Sequence, residues 1–423
     1  MEEEKLNQEA MPETAAEQPM EAPAETPAEA PAEAPAEPAA ETPAETPAEP
    51  AAEIPAETPA EPAAETPAEP AAEAPAEPRK PGLLRDCRSW TDIIPIAVIL
   101  SVGLMVLGEL ATGILYGVTP VRDWFASIAP DEGSALFLAQ YFDFIGIWIA
   151  FIVIITIFRP NWPMWKAFFY NGHGNNLRAI PIGILLGGGM NGFCILMSVL
   201  SGDIRLRFNE FNPTLFFAFL LSVMIQSGAE EIADRCYLYQ KLRRRYRWPA
   251  VAILVNSVVF SALHYFNPDV TWLGLLQVFE IGVLFSLIIY FYDSLWTVIW
   301  AHTAWNFSQS IVFGLPNSGI VSAYSVFKLD AASARNGFFY NTGFGVEGSV
   351  GANVIIGVMI LIVLISGLVR RRGERADIWQ KMEAAGRVRT TGQKVLNVLG
   401  WILMVVFAVG LGYLYRNYGV SPY

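Results

Sequence analysis

Cysteine and histidine are the scarcest reactive residues of this chain, with three of each in 423 residues. Cys87, Cys194 and Cys236 stand far apart with no CxxC pairing, which argues against a disulfide framework and against a thiolate metal site. Charge is scarce too, at 16% of residues against 53% hydrophobic. The opening MEEEKLNQEA lacks a basic stretch followed by an apolar core, so no cleavable signal peptide is expected and the first apolar span serves as the insertion signal.

The basic charge that does occur avoids the N-terminus. Residues 1–78 hold 21 Glu and a single basic residue, Lys5, among Pro, Ala and Glu words such as ETPAEP and AAEAPAEP. A segment so poor in apolar surface cannot offset its chain entropy, and it is expected to be disordered, with polyproline character and a spacer role. One Lys against 21 Glu gives this tail a charge of −20. The whole-chain charge of −13 then leaves residues 79–423 with 27 basic and 20 acidic residues, or +7. The low pI belongs to the tail.

What fills the remainder is long apolar runs. A bilayer core of about 30 Å takes about 20 helical residues to cross. Nine candidate spans fit: 93–116, 135–158, 179–200, 213–238, 249–265, 270–291, 294–314, 351–369 and 396–415. Lys and Arg gather in alternate loops: Arg79 to Arg88 before the first span, Arg159 to Arg178 after the second, Lys241 to Arg247 after the fourth and Arg370 to Arg372 after the eighth. Cytoplasmic loops are the basic ones, which places the N-terminus inside and, with nine spans, the C-terminus outside. The expected fold is all-α, a polytopic transmembrane bundle of eight to nine helices in a bacterial cell membrane, preceded by the disordered tail. Residues 315–350, rich in Gly, Ser and Asn, are expected outside. Residues 370–394, basic with helical spacing, are expected along the anionic inner lipid surface.

Ionisable residues inside such spans cost roughly 2.5–3.5 kcal/mol each on insertion scales and therefore mark function. The fourth span, FLLSVMIQSGAEEIADRCYLYQ, carries Glu230, Glu231, Asp234 and Arg235. Glu231 and Arg235 are i and i+4 and can pair, which leaves Glu230 on a neighbouring face as a candidate general base or acid. The blander reading makes these charges the cytoplasmic cap of the helix. In the fifth span His264 follows Phe260 by four residues, and in the seventh His302 and Asn306 share a face. A lone intramembrane His or Asn usually serves helix contact, yet two of the three histidines lie in apolar spans. His173, in NGHGNN, reads as an exposed bystander.

A carboxylate base, an imidazole and His and Asn donors are what water-activated acyl chemistry requires. Glu230, His264 and His302 are equally a ligand set for a divalent metal such as zinc, and spacing alone leaves the two open. Glu109, Asp143 and Glu280 also lie inside spans, expected to pair between helices or face a wet cavity, with Glu280 the first to promote.

Three motifs carry a resemblance: EExxxR at Glu230, Glu231 and Arg235, FxxxH at Phe260 and His264, and HxxxN at His302 and Asn306. Their order on separate apolar helices, and the approach FEIGVLFSLIIYFYDSLW to the third, resemble the CPBP intramembrane proteases, which include CAAX prenyl endopeptidases and the bacteriocin self-immunity proteins of the Abi type. The likeness covers 211–310 and extends weakly over GLPNSGI and FGVEGSVGAN. It implies a helix bundle around a cavity open toward the cytoplasm, with Glu230 and His264 activating water. His302 and Asn306 would stabilise the oxyanion, with Glu231 and Arg235 in support. Bacterial members commonly carry an aromatic residue before the motif Arg and Gly after it. Here those places hold Asp234, which sets a charge beside the base, and Cys236.

Depth poses a puzzle: Glu230 and His302 lie roughly eight to ten residues from the cytoplasmic side but His264 about sixteen, a mismatch of about 9 Å at the helical rise. Embedding of residues 241–250 would resolve it. The leading function is thus an intramembrane endopeptidase whose partners are the lipid bilayer and a membrane-associated peptide or protein; no nucleic-acid partner is expected. The alternative is a non-catalytic membrane scaffold or self-immunity protein. A proton-coupled transporter ranks last, since the spans show no paired inverted halves.

Overall fold

A computed structural model describes residues 82–116, 118–370 and 378–384, with isolated helical positions between 395 and 413. The acidic tail, most of the basic 370–394 stretch and most of the expected ninth span lie outside the described residues. In chain order the helices are α1 (Ile94–Tyr116), α2 (Thr119–Ile128), α3 (Glu132–Asp143), α4 (Ile145–Ile157), α5 (Trp165–Phe168), α6 (Ala179–Leu200), α7 (Pro213–Glu231), α8 (Tyr239–Arg245), α9 (Pro249–Leu263), α10 (Trp272–Tyr292), α11 (Leu295–Phe307), α12 (Val350–Val369) and α13 (Ile378–Ala384).

Among the described residues, seven helices are long and apolar enough to cross a membrane. This is a multi-pass membrane protein. The seventh expected span is α11, prolonged by a π segment, Ser308–Val312. The all-helical expectation has one local exception, an antiparallel pair of β1 (Leu206–Phe208) and β2 (Phe327–Leu329) that ties the loop before α7 to the long segment before α12.

Helix starts follow local capping chemistry. The Asn212 side chain accepts from the backbone N–H groups of Thr214 and Leu215 ahead of α7, with Pro213 as the first helical residue. Thr271, Ser294 and Ser349 do the same for α10, α11 and α12. In hydrocarbon every backbone donor needs such a partner. The helices meet through small residues: a Cβ on Gly183 would stand 2.6 Å from the Thr297 carbonyl oxygen, and one on Gly187 would run into the Ala301 carbonyl. α6 and α11 therefore touch backbone to backbone, the usual device for packing helices in lipid.

The fourth span corrects the sequence reading. It was expected to end at residue 238, before a basic connection partly embedded over 241–250; instead helix continues from Pro213 to Arg245, 33 residues, through a π segment, Ile232–Leu238. Lys241, Arg243 and Arg244 are buried because partners meet them. Asp92 receives the Arg244 guanidinium through two bonds, at 2.6 and 2.7 Å, and the Lys241 ammonium at 3.1 Å. Arg244 also donates to the Pro160 carbonyl and to Asn161, and Lys241 to Thr91. The longer fourth helix, and not an earlier start of the fifth, evens the count: Glu230 precedes Arg245 by fifteen residues, as His264 follows Pro249 by fifteen.

The basic stretch after α12 has one described helix, α13, and it is not simply laid on lipid. Trp379 is buried at 1% exposure, donates to Gln240 Oε1 at 3.0 Å and lies under the Arg244 guanidinium.

Burial alone would push the Asp92 carboxyl up, but Arg244 and Lys241 outweigh it and hold it at about 2. Its stabilisation is therefore complete above the unfolded value near 3.8 and is lost only as pH falls through about 2. Asp92→Asn strands two buried cations, and a cost of about 3–5 kcal/mol is expected, read as a lower thermal midpoint in detergent at neutral pH. Gly187→Leu forces α6 off α11 at a cost of about 3 kcal/mol, the upper end of ordinary overpacking, by the same measurement.

Candidate active site

Arg235 is the residue around which the three motifs meet. Its side chain is wholly buried in the π segment, where a widened turn turns it inward. Arg235 Nε lies 3.2 Å from Glu231 Oε2, and Nη1 donates to Glu231 Oε1 at 3.3 Å. The guanidinium sits 4.3 Å from the Phe260 ring centre on α9 and 5.6 Å from that of Phe285 on α10. Cation–π contacts of this kind strengthen when water is absent.

Glu231 passes this anchorage to α11. Its Oε1 lies 2.8 Å from His302 Nδ1, and since a carboxylate only accepts, Nδ1 carries the proton. The other ring nitrogen, Nε2, faces Glu230 Oε2 at 3.7 Å, beyond hydrogen-bond length. His302 thus stands between the two glutamates. His264 closes α9 with its Nδ1 2.8 Å from the Phe260 carbonyl oxygen; a carbonyl likewise only accepts, so Nε2 of the half-buried ring keeps a free lone pair.

A string of amides leads to Glu230. Gln226 Nε2 donates to Glu230 Oε1 at 2.6 Å, Asn306 Nδ2 to Gln226 Oε1 at 3.1 Å, and Asn317 Nδ2 to Asn306 Oδ1 at 3.2 Å. Each donor points toward the carboxylate, so the bonds polarise one another in one direction. Glu230 Oε2 is buried and has no hydrogen-bond partner.

His264, His302 and Asn306 line one cavity together with Phe260, Gln277 and Glu347, and its volume is about 30 Å³. That is room for one or two waters, since a single water needs about 10–15 Å³ on this measure. Glu230 is not part of the lining and borders it through His302. No hydrogen bond joins Glu230 to His264.

Residues 212–308 match the family model described as type II CAAX prenyl endopeptidase, Rce1-like. This stretch is an Rce1-like domain. No curated protein and no solved structure matches the chain. The Rce1-like domain holds all six candidate residues, and its family is one of CAAX-type proteases acting on membrane-associated substrates. The cavity, however, reaches beyond the domain. Glu347 and Ser318 of the 315–349 segment supply part of its wall.

Asp234, placed by the sequence beside the base, finds other company: Arg235 Nη1 at 3.7 Å and Asn256 Nδ2 at 3.5 Å. Glu280, expected to matter first among the remaining acids, lines no part of this cavity. Of Glu109, Asp143 and Glu280, Glu109 interacts electrostatically with Glu230, and with Asp143 as well; Asp234 also feels Glu230. His173 is exposed, as expected.

Sequence reasoning missed Gln226, Asn317 and Glu347. Gln226 stands four residues before Glu230, a spacing that was available to be read. Asn317 and Glu347 lie in GLPNSGI and FGVEGSVGAN, where only a faint likeness pointed. Glu347 is 4% exposed and accepts from Trp305 Nε1 at 3.0 Å, Asn317 Nδ2 at 3.2 Å and the Ser318 backbone N–H at 2.5 Å. Burial outweighs these donors and pushes its carboxyl up to about 7.

As for a metal, each histidine offers Nε2 and Glu230 offers Oε2, yet among the described residues no three such groups converge closely enough to hold an ion. The present arrangement does not fit one.

The two glutamates are expected to part in their effects on stability. Glu231→Ala leaves buried Arg235 with only the more distant Asp234 carboxylate, at 3.7 Å, and strips His302 of its acceptor, at a cost of about 3 kcal/mol. Glu230→Ala removes a carboxylate with a bare oxygen and shifts stability by no more than about 1 kcal/mol. Thermal unfolding of the two purified variants side by side checks this.

Proposed function

We propose that the chain is an intramembrane endopeptidase that hydrolyses a peptide bond of a membrane-associated substrate with a water activated by Glu230 and His264. The observation that supports it is the convergence of the three motifs: His264, His302 and Asn306 line one water-sized cavity, with Glu230 bordering it through His302 at 3.7 Å.

In this reading a water in the cavity hydrogen-bonds to His264 Nε2. Glu230 Oε2, which lies behind His302 at 3.7 Å and outside the lining, meets that water once substrate binding shifts the His302 ring. Glu230 takes the water's proton as the oxygen adds to the substrate carbonyl, and returns that proton to the leaving amine. Negative charge gathers on the carbonyl oxygen. Asn306 Nδ2, now bonded to Gln226, and His302 in its protonated form, balanced by Glu231, are the donors that meet it. Arg235 and Glu231 keep the His302 ring in place. No step runs through a metal.

Glu230→Gln and His264→Ala are each expected to lower cleavage by about 10²–10⁴-fold, the usual worth of a positioned acid or base, in folded protein. Comparing membrane peptides of wild-type and Glu230→Ala cells by mass spectrometry identifies the substrate, and cleavage that survives both substitutions would sink the mechanism. Activity is expected to persist after dialysis against a chelator. Loss restored by zinc would instead make Glu230, His264 and His302 ligands. A phenotype that tolerates Glu230→Gln but not deletion of the chain would support the scaffold or self-immunity alternative.

A further inference from the structure

Glu347 is a buried carboxyl group in the wall of the cavity to which the proposed hydrolysis assigns no part. It lies outside the matched residues 212–308, in the long connection between α11 and α12. A carboxylate is tolerated in such a place only where donors surround it. Its Oε1 accepts from Trp305 Nε1 at 3.0 Å and from Asn317 Nδ2 at 3.2 Å, and its Oε2 from the Ser318 backbone N–H. Neither oxygen is bare, as Glu230 Oε2 is, so Glu347 is not a second base.

The backbone holds these partners closely. Asn317 and Ile320 exchange backbone hydrogen bonds, both at 2.9 Å, across a tight turn that contains Ser318. Glu347 stands on a single 3-10 turn, Val346–Gly348, between a bridge joining Asn341 to Gly345 and the Ser349 cap of α12. At Gly345 φ is +70°, and a Cβ there would lie 2.5 Å from the Pro316 carbonyl oxygen. The two turns therefore meet backbone to backbone.

This frame decides which way Asn306 faces. An asparagine amide keeps its shape when oxygen and nitrogen are exchanged, so its hydrogen-bond partners, and not its packing, select the end that meets an oxyanion. Glu347 Oε1 accepts in either protonation state, which obliges Asn317 to turn Nδ2 toward it. The same Nδ2 donates to Asn306 Oδ1 at 3.2 Å. Asn306 is thereby left with Nδ2 toward Gln226 and Ser227.

Glu230 selects the same direction from the other end, through Gln226, but only while it is ionised. Between attack on the carbonyl and departure of the amine it holds a proton, and a protonated carboxyl donates as well as accepts. That hold is weakest while the oxyanion exists. We infer that Glu347 is a positioning residue of the site: through Asn317 it keeps Asn306 turned as a donor while Glu230 carries the proton. For its chemistry this rests on the endopeptidase reading.

The test uses the purified full chain, in excess over a single-span reporter that carries a segment recovered from the comparison of wild-type and Glu230→Ala cells. Glu347→Gln sets an N–H group against Ser318 N–H, or against the Trp305 and Asn317 donors. Asn317→Ala breaks the link itself and leaves Glu347 its other two donors and its electrostatic interaction with His302; it carries the test should Glu347→Gln fail to fold. Each is expected to lower kcat about 10–10²-fold with KM within about twofold, short of the 10²–10³-fold for outright loss of an oxyanion donor. In an Asn306→Ala background, Asn317→Ala is expected to lower kcat no more than about twofold further, because both act through one amide. Losses that multiply, a raised KM with kcat unchanged, or no loss at all overturn the inference; the endopeptidase reading then stands if Glu230→Gln is inactive. Should Glu230→Gln cleave the reporter as the wild type does, that reading falls and the positioning role falls with it.

Discussion

A guanidinium with no access to water needs counter-charge and aromatic faces around it, and that requirement at Arg235, met except at Nη2, organises the centre of the molecule. Its charge is met by Glu231 one turn away, its faces by Phe260 and Phe285, and through Glu231 it reaches His302. Four helices are thereby fixed to a single group whose isolation would cost several kcal/mol. The motif residues meet because this charge admits few other solutions, and the bonds that place His302 are the ones that make Arg235 tolerable in the membrane.

The same logic appears a second time around Asp92, with a different outcome. There two cations share one carboxylate, and the surrounding donors and acceptors are saturated. Around Glu230 saturation is incomplete: one oxygen takes the Gln226 amide and the other takes nothing. A membrane protein that pairs its buried charges so thoroughly at one place and leaves a carboxylate oxygen bare at another separates architecture from chemistry, and in the endopeptidase reading that bare oxygen, behind His302, is the base.

The sequence was legible where side chains four residues apart share a helix face. Glu231 with Arg235, Phe260 with His264, and His302 with Asn306 are all of that kind, and each pair is found in or beside the site. Spacing failed where partners come from far along the chain. Lys241 and Arg244 looked like a loop because Asp92, some 150 residues earlier, gives no local sign of pairing with them. Asn317 and Glu347 sit in a polar segment without periodicity, where Gly, Ser and Asn read as an ordinary external loop. Choosing between Glu109 and Glu280 needed knowledge of which helix neighbours α7, and hydropathy does not record that.

The π segment between α7 and α8 carries a further consequence. It divides one long helix into two faces, Glu230 and Glu231 turned to His302, and Lys241 and Arg244 turned to Asp92. A π stretch takes up an extra residue in a turn, so the angle between these faces depends on how many residues separate them. One residue added or removed there swings one group about 100° away from its partner. Loops elsewhere can lengthen and merely protrude. This stretch behaves as a shaft cut with two keys, in which any change of length misaligns one lock while the other still turns.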